Sequence, residues 1–148
     1  DESGTTGMIN ARFVGTDGEN QPYIITAATA SQSNSSADVI KLNDLQADMT
    51  LGSGVWVTMK ADKGIYHRIE DRLELVGLVD VFSDLGYEFH AGDTTIDLSK
   101  KLAESRQVVK GQGPLGVLKA NSFRITEKGQ NLVFEGSVKL VIEPSYGR

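Results

Sequence analysis

The sequence has 148 residues, enough for one domain with a substantial core and too few for two well-stabilised ones. Hydrophobic residues make up 39% and charged residues 24%, as in globular proteins, and a net charge of −5 without a lysine or arginine cluster argues against a nucleic-acid-binding protein. The absence of cysteine excludes disulfides, zinc–thiolate sites and thiol nucleophiles.

Short alternating apolar runs, many glycines and few prolines predict an all-β fold with tight turns. The first predicted strand covers residues 23–30, and the polar residues 31–38 that follow it predict a solvated loop. Further strands are predicted at residues 39–42, 45–51, 55–61, 64–68, 73–82, 87–91 and 94–98. Residues 99–108 could form a helix capped by Ser99, but their thin apolar face favours a turn or loop. This regular spacing is typical of a sandwich or roll.

A gap-free repeat is the strongest internal pattern, because residues 59–81 return 59 positions later as residues 118–140. Since side chains alternate between faces along a strand, one predicted inward face consists of Leu73, Leu75, Val79 and Val81, and its repeat consists of Leu132, Phe134, Val138 and Leu140. Gly77 and Gly136 interrupt these rows, and we expect a bend there rather than clearance for a ligand. Such units can stack into a roll with an apolar interior and a free strand edge at each end.

Motifs that would indicate catalysis or cofactor binding lack their required context. Residues 111–116 match G-x-G-x-x-G, but residues 117–120 are predicted to be a strand rather than a helix, so a flexible or sharply bent connection is favoured over a dinucleotide site. His67 and His90 are interpreted as exposed strand residues rather than metal ligands. No serine lies in a G-x-S-x-G motif. The sequence therefore predicts a non-enzymatic protein without metal or cofactor.

Aromatic residues lie in or beside the predicted strands, at Trp56, Tyr66, Phe82, Tyr87, Phe89, Phe123 and Phe134. Each is more readily explained as core, but a roll made of one curled sheet has few atoms to fill its middle, so the same residues could line a site for an apolar ligand. Three alternatives stay open: a carbohydrate-binding jelly roll, a hydrolase on the same roll, and a purely structural scaffold.

Several motifs, taken in their order and spacing, resemble the LptC family of lipopolysaccharide transport proteins in its alphaproteobacterial form. The resemblance extends over residues 9–144 and rests on Arg-Phe-Val-Gly at 12–15, Pro-Tyr-Ile-Ile-Thr-Ala at 22–27, Ala-Asp-Lys-Gly-Ile-Tyr at 61–66, Leu-Glu-Leu-Val-Gly at 73–77, Gly-Tyr-Glu-Phe at 86–89, Val-Lys-Gly-Gln-Gly-Pro-Leu-Gly at 109–116 and Phe-Glu-Gly at 134–136.

This resemblance implies an open β-jelly roll of antiparallel strands in the periplasm, anchored to the inner membrane by an N-terminal helix that this sequence lacks. It further implies that the domain accepts lipopolysaccharide from an inner-membrane ABC transporter and passes it to the periplasmic bridge protein LptA. We expect residues 1–8 to be a flexible leader or a remnant of trimming, residues 9–144 to be the LptC-like domain, and residues 145–148 to be a C-terminal tail.

Expected site residues follow from strand alternation, aromatic size and the family pattern. For a lipid-binding groove, the residues chosen are Tyr23, Ile25, Leu75, Val79, Tyr87, Phe89, Phe123, Phe134, Val138 and Leu140. By the family pattern, Gly18 is expected to serve docking on the transporter side and Gly116 docking on the LptA side. Free strand edges would also allow a homodimer.

Overall fold

The computed structural model describes residues 5–33, 36–51 and 54–142. In these ranges the chain forms thirteen strands, which confirms the all-β prediction. The long strands are β1 (Thr5–Thr16), β2 (Pro22–Ser33), β3 (Ser36–Thr50), β4 (Trp56–His67) and β5 (Arg72–Ser83). The short strands are β6 (Glu88–Ala91), β7 (Thr94–Asp97), β8 (Leu102–Ser105), β9 (Val109–Gly113), β10 (Gly116–Ala120), β11 (Ser122–Thr126), β12 (Asn131–Glu135) and β13 (Lys139–Ile142). Within the described residues, no helix is long and apolar enough to cross a membrane.

Several predicted boundaries were wrong because polar residues within long strands were taken as breaks. The predicted strands 39–42 and 45–51 are one strand, β3, and 55–61 and 64–68 both fall in β4. The predicted loop 31–38 is mostly strand, since β2 extends to Ser33 and β3 begins at Ser36; residues 34–35 lie outside the described ranges. Residues 99–108 contain β8, and β1 was missed altogether.

The sheet divides at β5. Strands β1 to β5 pair antiparallel in chain order, and then residues 72–75 of β5 pair with β7 while residues 79–82 pair with β6. From β6 the pairing continues to β9, β10 and β13; from β7 it continues to β8, β11 and β12. We call the first series, with the adjoining halves of β1 to β5, layer A, and the second layer B.

A line of backbone breaks, here called the crease, separates the two layers within the long strands. Asn10, Asp44 and Gly77 have φ values of 54°, 50° and 88°, and the ladder between β4 and β5 shifts register between Ala61 and Lys63. Asn, Asp and Gly tolerate positive φ better than other residues. Four of the five long strands, β1, β3, β4 and β5, therefore have a break at the crease, which lets one sheet fold into two facing layers.

Aromatic contacts show that the two layers face each other. The rings of Phe13 in layer A and Tyr66 in layer B lie 5.5 Å apart, and those of Phe89 and Phe134 lie 5.4 Å apart. The predicted inward face of β5 is confirmed, because Leu73, Leu75, Val79 and Val81 are all buried. Together the two layers form the open β-jelly roll that the sequence predicted.

Each copy of the sequence repeat forms a structural unit of the same kind. The first copy is the β4–β5 hairpin; in the second copy the hairpin is broken into four strands, because β10 and β11 replace β4 while β12 and β13 replace β5. Gly136, the counterpart of Gly77, also has positive φ and separates β12 in layer B from β13 in layer A. The expectation of a bend is therefore confirmed at both glycines.

The two glycines give a matched test of the crease. An added Cβ at Gly77 would meet no atom within 4 Å, whereas one at Gly136 would lie 2.8 Å from the Asn121 Cβ. We expect Gly77→Ala to cost about 1–2 kcal/mol of unfolding free energy through backbone strain alone, and Gly136→Ala to cost about 1 kcal/mol more. Urea unfolding of both variants measures this difference, and equal losses would contradict the contact at Asn121.

Candidate apolar-ligand site

A cavity of about 400 Å³ opens between the layers on the side of β12 and β13. Layer A contributes β4, β5, β6, β9, β10 and β13 to its wall, and layer B contributes β11 and β12. The side chains that form most of its apolar wall are Val57, Val81, Tyr87, Phe89, Leu118, Phe123, Ile125, Leu132, Phe134 and Leu140. This volume lies within the range of ordinary ligand pockets.

Two glycines in β9 make room for the aromatic wall. Gly111 lies opposite Phe89 in the ladder, and a Cβ at Gly111 would overlap the Phe89 ring, as one at Gly113 would overlap the Tyr87 ring. The Tyr87 and Phe89 rings stack nearly parallel, with centroids 6.3 Å apart. Of the flexible or sharply bent connection predicted at residues 111–116, the structure has the sharp bend: the end of β9, a two-residue turn and the start of β10, with glycines that seat these rings.

The cavity is electrically neutral, because none of the described residues that line it is charged. Its polar lining consists of Ser83, Gln112, Gln130 and Asn131, which lie at or next to strand ends. Leu85 and Leu115, in the turns that follow β5 and β9, also line it and are more than half exposed. These leucines were missed because a single apolar residue within a turn carries no periodic signal.

The structure divides the expected groove residues into lining and core. Five of them line the cavity: Tyr87, Phe89, Phe123, Phe134 and Leu140. Ile25, Leu75 and Val79 are fully buried core residues that do not reach it. Val138 is 48% exposed in the connection between β12 and β13. The predicted inward face of the second repeat is thus only partly correct, since Leu132 and Leu140 face the cavity but remain about half exposed.

Tyr23, the remaining groove candidate, fills the interior on the side nearer β1. Its hydroxyl donates to Asp71 Oδ1 over 2.7 Å and lies 3.1 Å from the Tyr66 hydroxyl, and both rings are buried. Burial raises the pKa of Tyr23, and the hydrogen bonds to Asp71 and Tyr66 raise it further, so the phenol stays protonated. The interior is therefore filled on this side and hollow towards β13.

Gly18 lies in the loop that joins β1 to β2, next to a buried ion pair. Its N–H donates to the Ser99 carbonyl over 3.0 Å, while Lys101 Nζ lies 3.1 Å from Asp17 Oδ2. Burial alone would raise the pKa of Asp17, but backbone N–H groups of the same loop and the Lys101 ammonium outweigh it and hold the pKa below its usual value. The ion pair thus fastens the Gly18 loop of layer A to the β7–β8 turn of layer B.

Gly116 begins β10 and pairs with Ile142 in the edge strand β13. Its φ is 141°, and an added Cβ would overlap the Val141 carbonyl oxygen. At Gly18, by contrast, a Cβ would lie an ordinary 3.5 Å from the Ser99 carbonyl oxygen. Of the two expected docking glycines, only Gly116 occupies a position that admits no larger side chain.

Both histidines contact carboxylates on strand faces. His90 Nδ1 lies 2.6 Å from Asp80 Oδ1 and its Nε2 lies 2.7 Å from Glu88 Oε2; the hydrogen bond to Asp80 is the main reason that the pKa of His90 is raised. His67 is partly buried, rather than exposed as expected, and lies 3.4 Å from Glu74. Among the residues that the structure describes, no group of three or more acidic or histidine side chains is arranged to hold a metal ion.

The sequence matches a known protein family. A family model described as "Lipopolysaccharide-assembly, LptC-related" matches residues 49–143, which include both copies of the repeat and every residue named above as lining the cavity. No curated protein matches the chain.

The different surroundings of the two docking glycines predict different effects of alanine. Gly116→Ala should detach β13 from β10, because the new Cβ would occupy the position of the Val141 carbonyl. Hydrogen exchange at the β13 and β10 amides should increase at least tenfold, whereas Gly18→Ala should leave these amides unchanged. Retained protection in Gly116→Ala would show that β13 can shift to accommodate a side chain.

Removing one partner of the buried ion pair should destabilise the fold. Lys101→Met leaves Asp17 buried without its cation, and we expect about 3 kcal/mol less unfolding free energy at pH 7, against less than about 0.5 kcal/mol for the exposed neighbour in Lys100→Met.

Lowering the pH should reduce the difference in unfolding free energy between wild type and Lys101→Met. Because the folded-state pKa of Asp17 is lowered, the pair contributes its stability above the unfolded pKa of about 4 and loses it as the pH falls through the folded value. Denaturant unfolding at several pH values measures this, and a gap between wild type and Lys101→Met that widens in acid would contradict it.

Proposed function

The chain belongs to the LptC-related family of lipopolysaccharide-assembly proteins, which gives it a role in lipopolysaccharide transport, and from this premise we propose a specific carrier function. In this proposal the protein is not an enzyme. It holds acyl chains of lipopolysaccharide in the cavity between its layers, receives the lipid from an inner-membrane ABC transporter and passes it to an LptA-like periplasmic protein.

The neutral cavity is the single observation that carries this proposal. Its apolar wall matches acyl chains, since each methylene that leaves water contributes about 0.8 kcal/mol to binding. Its opening beside β12 and β13 would let the sugars and phosphates of the lipid remain in water. An acidic protein can therefore hold an anionic lipid, because the charged part need not enter the interior.

The lining also favours a carrier over a hydrolase. None of the described lining residues is a carboxylate, a histidine or a lysine, and Ser83 is the one hydroxyl nucleophile among them besides the Tyr87 phenol. Acid–base catalysis needs a titratable group within hydrogen-bond reach of the reacting atoms. The exposed histidine at position 90 lies on the outward side of β6, away from this wall.

The strand edges supply routes for entry and release. In the described ranges β1 pairs only with β2, and β13 pairs only with β10, so each presents an open edge. A partner that adds its own strand to β13 would extend the layer whose inner side forms the cavity wall. We assign that edge to the LptA-like protein and the β1 edge, beside the Gly18 loop, to the transporter. The domain would act in the periplasm, held at the inner membrane by an N-terminal helix.

Photo-crosslinking tests the carrier function directly. A photoreactive amino acid at Phe134, which lines the cavity, should form a covalent adduct with lipopolysaccharide on irradiation in cells. The matched control is the neighbouring Glu135, which is exposed and whose side chain pairs with Arg124, 3.1 Å away. We expect an adduct at position 134 and at least tenfold less at position 135.

A cavity-filling variant makes this test sharper. Leu118→Trp adds bulk to the wall and should reduce the adduct at position 134 several-fold while leaving the protein folded. Equal adducts at positions 134 and 135, or an adduct unaffected by Leu118→Trp, would exclude the cavity as the lipid site.

A further inference from the structure

Strand pairing brings three lysines together on the outer surface of layer A. Lys110 in β9 lies directly opposite Lys119 in β10, which in turn lies directly opposite Lys139 in β13. All three are exposed, and they point away from the cavity, since their neighbours Leu118 and Leu140 line it. We call these three residues the lysine row; at the usual strand spacing it is about 10 Å long.

The three strands of the lysine row contain no counter-charge, and in the adjoining strand β6 Lys110 lies opposite His90, whose ring nitrogens contact Asp80 and Glu88. No acidic residue occurs in β9, β10 or β13, and the ion pairs found in the described part of the chain do not include these lysines. Like charges directly opposite each other on paired strands are destabilising. An external anion at this surface would remove that repulsion.

Exposed apolar side chains lie on the same surface. Val117 and Val141 face each other across β10 and β13, two positions from Lys119 and Lys139, and are 44% and 62% exposed. Lysine is depleted in protein–protein interfaces, whereas lysine beside exposed apolar side chains is typical of surfaces that rest on anionic lipid headgroups. The combination therefore favours a membrane surface over an acidic protein.

We propose that the lysine row, with Val117 and Val141, is a membrane-contact face that binds bilayers rich in anionic phospholipid. It lies on the opposite side of the sheet from the cavity, so the protein can contact a bilayer and hold a ligand at the same time. Each lysine contributes about a fivefold gain in partition, which gives on the order of 100-fold for the row. Contact of this strength is reversible and weakens as salt is added.

Vesicle flotation at low ionic strength tests the membrane-contact face. The wild-type chain should float with phosphatidylglycerol-rich vesicles and not with phosphatidylcholine vesicles. The variant K110Q/K119Q/K139Q should bind the anionic vesicles on the order of 100-fold more weakly. The control K41Q/K63Q/K100Q removes the same charge from exposed lysines outside the row and should bind within about threefold of wild type.

Leu118→Trp separates this inference from the carrier function, because it alters the cavity and leaves the outer surface intact. Vesicle binding that survives Leu118→Trp and is lost in the lysine-row variant supports the membrane-contact face, whether or not lipopolysaccharide enters the cavity. Three outcomes would overturn it: no binding by wild type, equal loss in both triple variants, or binding lost only in Leu118→Trp. Row-dependent retention on polyglutamate without vesicle binding would instead assign the surface to an acidic protein.

Discussion

A single continuous sheet must fold back on itself before this chain can have a core. The long strands carry apolar side chains on one face, and that face is unstable in water without a second layer against it. The bend comes from Asn10, Asp44 and Gly77, whose backbones adopt positive φ along one line. The facing layers and the cavity between them both depend on this crease.

The roll is hollow at one side because its two layers end in different strands. On the side nearer β1, Tyr23 and Tyr66 bring large rings and a hydrogen bond across the gap between layers. On the other side Gly136 sends β12 and β13 into separate layers, so the last strands do not close over the interior. Because Gly111 has no side chain, the Phe89 ring occupies the space where a Cβ would lie, and this leaves more of the interior empty. A site for an apolar ligand thus results from how the chain ends its sheet.

The charge of each region of the surface depends on which residues the strands bring together there, not on the net charge of the sequence. The chain carries a net charge of −5, yet the outer surface changes sign across layer A. Asp80 and Glu88 hold His90, and the next three strands present only lysines as charged residues. One outer surface can therefore attract anions although the protein as a whole repels them.

The sequence by itself determined the fold class, the repeat and the family resemblance, because strand periodicity and the bend glycines Gly77 and Gly136 are local signals. Its expected groove also included five of the ten side chains that form most of the apolar wall, among them Phe89 and Phe134, whose size and alternation mark them as inward-facing. The other cavity residues could not be identified from the sequence, because their positions in the wall depend on strands that lie far away in the chain.

The tertiary structure alone decided which inward residues are core and which line the cavity. Val79 and Leu140 have similar patterns in the sequence, but Val79 lies in β5, between β4 and β6, and is fully buried, whereas Leu140 lies in the edge strand β13 and is about half exposed. In the same way, the lysine row unites residues 110, 119 and 139, which form no cluster in the sequence and become neighbours through strand register. Burial and surface charge are long-range properties, since they depend on which strands lie opposite and where the sheet ends.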